Sequence, residues 1–200
     1  MSSHTLHTFI DSRFKKKVVS IGPGDYYVAE EDLIIQTVLG SCIAVCLFTD
    51  NSIISGMNHF MLPGGSDTDK MDSLRYGNYS MEMLINSLLK LGIKKKELKA
   101  KVFGGGNIID FKSSKNTVGE NNIDFIFDFL KKEDIPVITK HVGGDSARKV
   151  LFFSVDKKVL LKEINRTEKD DTIREEAEYG KTIVKKTTQQ QSSIIWLDEN

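Results

Sequence analysis

Ile43-Ala44-Val45-Cys46-Leu47-Phe48 is an unbroken apolar run. Its length suits a strand buried on both faces better than a helix. Thr49-Asp50-Asn51-Ser52 then supplies turn residues and Ile53 to Leu62 runs back, so the sequence predicts a hairpin over 43–62. Pro63-Gly64-Gly65-Ser66-Asp67 reads as a loop through which no strand could continue. Other short extended pieces surround this hairpin: Lys17–Ile21, Tyr26–Val28 after the breaker Gly22-Pro23-Gly24-Asp25, Leu33–Val38, Lys101–Phe103, Pro136–Val142, Arg148–Val155 and Val159–Ile164. Two stretches have helical spacing. One is capped by Asp72 or Ser73 and reaches about Leu91, with Gly92 as its stop; the other covers roughly 119–132, with Ile123, Ile126, Phe127 and Leu130 on one face. The expected architecture is an α/β (α+β) layered sandwich, its sheet mostly antiparallel or mixed, with two main helices.

The organisation follows from changes in character. Residues 1–14 look polar and patternless, a loose lead-in. Residues 15–164 form the domain. Residues 165–200 are a charged extension, a solvated helix or disordered tail, ending in the apolar tip Ile194-Ile195-Trp196-Leu197 after a Gln/Ser link. The 200 residues carry 28 Lys+Arg against 28 Asp+Glu, and a zero net charge argues against bulk nucleic-acid binding. The basic clusters Arg13-Phe14-Lys15-Lys16-Lys17 and Lys94-Lys95-Lys96 read as solvated faces. No apolar run approaches the roughly 20 residues of a membrane span, and the N-terminus lacks the apolar stretch of a signal peptide. With only two cysteines and no disulfide framework, the expected compartment is the reducing cytoplasm.

The strongest chemical signal is Cys42 with His59. Cys42 sits at a Gly-Ser-Cys turn leading into the buried run, where rigid structure would fix a nucleophile while its sulfur faces outward. Backbone N–H groups about Gly40 and Ser41 could hold the oxygen of an attacked carbonyl. The predicted hairpin returns the chain to His59, 17 residues on. An imidazole beside a thiol favours thiolate, lowering the thiol pKa from about 8.5, and can protonate a leaving amine. Taken alone, the two residues read more readily as a small buried thiol and a satisfied core or surface histidine.

Several spaced motifs add to this. Gly22-Pro23-Gly24-Asp25-Tyr26-Tyr27-Val28, Thr37-Val38-Leu39-Gly40-Ser41-Cys42-Ile43-Ala44-Val45-Cys46 and Gly56-Met57-Asn58-His59-Phe60-Met61-Leu62-Pro63 closely resemble the chemoreceptor glutamine deamidases, the CheD family of bacterial chemotaxis. The likeness continues in Arg75-Tyr76-Gly77-Asn78-Tyr79, Lys101-Val102-Phe103-Gly104-Gly105-Gly106, Gly119-Glu120-Asn121-Asn122, where Asn121 replaces the family's usual Arg, and Gly143-Gly144 with Arg148-Lys149-Val150. It covers about residues 15–164. The resemblance implies a fold akin to deamidating bacterial toxins and hydrolysis of selected receptor glutamines to glutamates. It implies a Cys nucleophile, Cys42, and a His, His59, acting with a hydroxyl residue five or six positions before the Cys. Thr37 is five before and Gln36 six before; Thr37 is the choice. It also implies chemoreceptor cytoplasmic helices as substrate and a CheC-type phosphatase as a possible partner, either of which a non-catalytic binding module of the same fold could dock on. A papain-like peptidase does not match the short Cys42–His59 spacing.

The remaining features are assigned blandly. Cys46 shares the strand face of Cys42 and is read as core packing. A zinc site from Cys42, Cys46 and His59 lacks a fourth ligand and a usual spacing, so no metal is expected. Gly104-Gly105-Gly106-Asn107 lacks the Lys-Ser/Thr ending of a phosphate loop and is read as a tight strand exit, so no cofactor is expected either. His141 is a strand-end histidine, and His4 and His7 belong to the tail.

Overall fold

Every residue of the run Ile43–Phe48 is buried, and the reason is its place between two layers. The computed structural model describes residues 6–62, 70–107 and 117–164, together with Glu178. These hold β1 (His7–Asp11), β2 (Lys16–Ser20), β3 (Tyr26–Ala29), β4 (Ile34–Leu39), β5 (Ile43–Phe48), β6 (Ser55–Phe60), α1 (Lys70–Lys90), β7 (Lys99–Gly104), α2 (Val118–Lys132), β8 (Val137–Val142), β9 (Arg148–Phe153) and β10 (Val159–Glu163). The strands make two five-stranded sheets, ordered β1-β2-β4-β9-β10 and β3-β6-β5-β7-β8. Pairing is antiparallel except for β2 with β4 and β7 with β8. This is the α+β layered sandwich expected, with two helices and mixed sheets.

Alternation along β5 divides its side chains between two cores. Ile43, Val45 and Leu47 face the helices, where they join Met81, Leu84 and Leu88 of α1 and Ile126, Phe129 and Leu130 of α2. Ala44, Cys46 and Phe48 face the other sheet and pack with Ile35, Leu39, Val150 and Phe152. A strand covered on both sides has no polar face to show, which is why its sequence is continuously apolar. Burial pushes the Cys46 thiol far up, against the weaker opposing charge of Lys101, as suits a packed and inert thiol.

The helix ends follow capping rules. Gly92 takes φ +87, and the amides of Gly92 and Ile93 bond back to the carbonyls of Leu89 and Leu88, closing α1 as its glycine predicts. α1 begins at Lys70, ahead of both cap candidates, Asp72 and Ser73, whose side chains lie outside the described residues. α2 starts with a capping box: Thr117 Oγ1 accepts from the Glu120 amide (3.2 Å) and Glu120 Oε2 accepts from the Thr117 amide (2.8 Å).

One stretch differs from the sequence reading. His7–Asp11, taken as part of a patternless lead-in, forms β1 and pairs antiparallel with β2, Phe9 opposite Val18. Four of its five residues are exposed, so no burial period marks it. The strand is held by its backbone ladder and by a turn in which Asp11 Oδ1 accepts from the amides of Arg13 (2.8 Å) and Phe14 (3.0 Å). The expected loop at 63–67 and the extension from 165 onward, apart from Glu178, lie outside the described residues. No helix among the described residues is long and apolar enough to cross a membrane. Both basic clusters meet acids at the surface: Lys17 pairs with Glu31 at 2.9 Å, Lys16 with Asp32, and Lys95 with Glu133 at 2.6 Å.

The packing of α1 on its sheet predicts a contrast within the helix. Leu84→Ala, at a fully buried position, should lower unfolding free energy by about 2–5 kcal/mol, and Tyr79→Ala, at an exposed one, by less than about 0.5 kcal/mol, in chemical denaturation. Equal losses would contradict the assigned helix face.

Candidate active site

The site grows from the inward faces of both sheets. β4 contributes Thr37 from the first sheet, and β6 contributes His59 from the second. Thr37 Oγ1 lies 2.7 Å from His59 Nδ1 and 2.8 Å from the carbonyl oxygen of Ile21. A hydroxyl has one hydrogen, and the Ile21 carbonyl can only accept it. Oγ1 therefore accepts from the ring, so Nδ1 carries a proton and, in the neutral imidazole, Nε2 is the basic nitrogen. Both residues are buried, at 2% and 1% exposure. Gln36 points to the opposite face, with its amide 3.4 Å from Ser20 Oγ. Of the two candidates for the third position, strand alternation brings Thr37 to the histidine.

The Gly22–Asp25 breaker fixes the backbone of His59. The His59 amide donates to the Asp25 carbonyl (2.9 Å), and the Gly24 amide donates to the His59 carbonyl (2.8 Å). Asp25 Oδ2 closes the turn on the Gly22 amide at 2.9 Å. The same segment presents the Ile21 carbonyl to Thr37, so one turn sets both the ring and the main chain of the histidine.

Cys42 stands immediately before β5. His59 pairs with Ala44, so Cys42, two residues earlier on the same face, is its diagonal neighbour. Such neighbours have Cβ atoms on the order of 7 Å apart, on one face of the sheet. The turn around Cys42 is held by three successive carbonyls. Gly40 O accepts from the Gly106 amide (2.7 Å), Ser41 O from Asn122 Nδ2 (2.8 Å) and Cys42 O from the Gly105 amide (2.8 Å). Asn122 Oδ1 in turn accepts from the Leu62 amide (2.7 Å), tying the turn to the end of β6. Peptide bonds here are all trans, so each N–H points opposite to the carbonyl of its own peptide unit. The amides of Ser41 and Cys42 thus point away from α2 and the glycine junction.

Two glycines make this closeness possible. Gly104 takes φ +113, and a Cβ there would collide with the Cys42 carbonyl. A Cβ on Gly119 would lie 2.5 Å from the Gly105 carbonyl oxygen, so α2 can bring Asn122 to the turn only because Gly119 has none. The Gly104–Gly106 run is thus a tight strand exit built against the cysteine. Asn121, where the resemblance leads one to expect an Arg, is exposed on α2, whereas Asn122 is the residue that reaches the turn.

The structure differs from the sequence reading in one respect that matters for chemistry. An outward-facing sulfur was expected, but Cys42 is 0% exposed and belongs to the core between the sheets. Three participants were not singled out from sequence. Asn122 is one. Tyr76 is another: its phenol is pushed well above the usual range, first by burial and then by the charges of Cys42, Asp25 and Tyr79. Arg148 is the third; it holds His141, with Nη1 2.9 Å from His141 Nδ1 and from its carbonyl oxygen. His141 therefore serves a strand-end contact.

A hydroxyl that orients an imidazole, on the sheet face that leads to a thiol in a backbone-held turn, has the residue types needed for nucleophilic attack on a carbonyl carbon. A family profile described as "CheD chemotactic sensory transduction" matches residues 61–163. The chain is 45% identical over 172 residues to a protein of Dechloromonas aromatica (strain RCB) named probable chemoreceptor glutamine deamidase CheD 1, covering 86% of this chain and 85% of that one. It is 41% identical over 180 residues to a similarly named protein of Janthinobacterium sp. (strain Marseille), covering 88% of each. It is 42% identical over 178 residues to another from Thiobacillus denitrificans (strain ATCC 25259 / T1), again covering 88% of each. Likeness at this level over most of both chains places the chain in the CheD family.

Proposed function

We propose that the protein hydrolyses glutamine side chains on chemoreceptors to glutamates, through a thioester on Cys42. The observation that carries this reading is the 2.7 Å contact between Thr37 and His59 Nδ1, which orients a basic Nε2 on the face that Cys42 shares. The relatives' names supply the substrate class, and the site supplies a route.

In that route Nε2 of His59 takes the Cys42 proton, and the thiolate attacks the carboxamide carbon. The tetrahedral oxygen is received by the Ser41 and Cys42 amides of the turn that follows Gly40. Collapse breaks the C–N bond while His59 returns its proton to the leaving nitrogen, giving ammonia and a Cys42 thioester. Water, deprotonated by His59, attacks the thioester; the C–S bond breaks, glutamate leaves and the thiol is restored. Thr37 keeps Nδ1–H anchored while the ring charges and discharges. Because Cys42 is wholly buried at rest, a carboxamide reaches it only when the packing around the turn opens.

Two outcomes follow, read as ammonia release from chemoreceptor cytoplasmic fragments. Cys42→Ala should lose more than about 1000-fold in rate while retaining its fold; wild-type rates in that variant would end the covalent route. Thr37→Val should lower kcat about 10- to 100-fold by removing one buried hydrogen bond, with Gln36→Ala within about twofold of wild type. The reverse ranking would move the orienting role to Gln36.

A further inference from the structure

Arg148 is one of the largest fully buried side chains, at 2% exposure, yet among the described residues no carboxylate is hydrogen-bonded to it. The first residue of β9, it pairs with Leu39 of β4 and Glu163 of β10, at the end of the sandwich where β4 gives way to the Cys42 turn. Its guanidinium donates instead to the end of β8 and the loop that leads from it to β9. Nη1 reaches the His141 carbonyl at 2.9 Å, and Nη2 reaches the Ser146 carbonyl at 3.1 Å and the Gly143 carbonyl. Nε is buried without a partner. Desolvation lowers its pKa, and the charge of Glu163 works the other way. A buried cation spent on carbonyls is costly unless the geometry it fixes matters.

That geometry leads to the cysteine. The Gly143 amide donates to Gly104 O (2.9 Å) and the Asn107 amide to Gly144 O (2.7 Å), so the β8–β9 loop grips both ends of the glycine junction. The junction then holds Gly40 O and Cys42 O through the amides of Gly106 and Gly105. A Cβ on Gly106 would lie 3.2 Å from Arg148 Nη2 and 3.1 Å from Gly40 O, which shows how closely the guanidinium backs the turn. We propose that Arg148 is a positioning residue: its fork locks the β8–β9 loop, and the loop, through Gly104–Asn107, sets the peptide planes of Gly40–Cys42 on which nucleophile and oxyanion amides depend. The catalytic half of this rests on the function proposed above. Arg is needed because a planar fork satisfies several carbonyls at once, which an ammonium on a flexible stem does not.

The test follows amide hydrogen exchange, steady-state deamidation and chemical rescue in the full chain. In Arg148→Ala, the amides of Gly105, Gly106 and Asn107 should exchange more than about tenfold faster. Its kcat should fall about 10- to 100-fold with KM little changed, and added guanidinium should restore part of both. Where Arg148→Ala does not fold, Arg148→Lys, which keeps the charge and loses the fork, should show the same faster exchange and lower kcat. Wild-type exchange at those amides in a folded variant overturns the proposal, as does faster exchange with wild-type kcat. A wild-type protein that releases no ammonia would refute the proposed function instead, and the exchange arm would still decide whether Arg148 holds the turn.

Discussion

A buried hydrogen bond crosses the space between the two sheets, from the His59 ring on β6 to the Thr37 hydroxyl on β4. Its surroundings are Ile35, Leu39, Ala44, Met57 and Val150, a core in which an unpaired imidazole or hydroxyl would be costly. Here the ring's Nδ1 and the hydroxyl are linked in series: ring to hydroxyl, hydroxyl to the Ile21 carbonyl. Low local polarity strengthens such a chain as much as it would penalise its absence. The bond also demands correct register in both sheets at once, because a slip of one residue in either strand turns its side chain to the opposite face. Thr37 opposite Val150 and His59 opposite Ala44 are therefore joint conditions on the fold.

The cysteine is placed by a second mechanism, made of backbone rather than side chains. Three consecutive carbonyls of the Gly40–Cys42 turn are captured by the Gly105 and Gly106 amides and by Asn122, itself brought near by the missing Cβ of Gly119. Such a turn has little freedom. The sulfur itself is buried in the core between the sheets, so rigidity at rest and access to substrate are opposed demands on one piece of chain. Deamidation by this site requires the two to be met in turn: a closed, aligned ground state and an opened state that admits a carboxamide.

Much of this was legible beforehand. β5 has the predicted bounds, because six apolar residues between turn signals permit few alternatives, and the stop of α1 at Gly92 followed from the glycine itself. β1 was not legible, since an edge strand with exposed side chains carries no period. The choice between Gln36 and Thr37 also exceeded local pattern. β4 is apolar on both faces, with Ile34 in the outer cluster and Ile35 and Leu39 in the inner one, so alternation alone could not say which face looks inward. The parts played by Asn122, Tyr76 and Arg148 arise from chain segments distant in sequence, and no local spacing announces them. Conversely, a turn preceding a buried strand suggested an exposed thiol, and only the packing of α2 and the glycine junction on that turn reveals a covered one.

The bond between the sheets can be read directly by nitrogen-15 NMR of the histidine side chains. With the hydroxyl hydrogen committed to Ile21, the ring must carry its proton on Nδ1 whether it is neutral or charged, and that proton should exchange slowly with water and lose its protection in Thr37→Val. A neutral His59 with the proton on Nε2 and a bare Nδ1 would contradict the orientation on which the whole account of Cys42 depends.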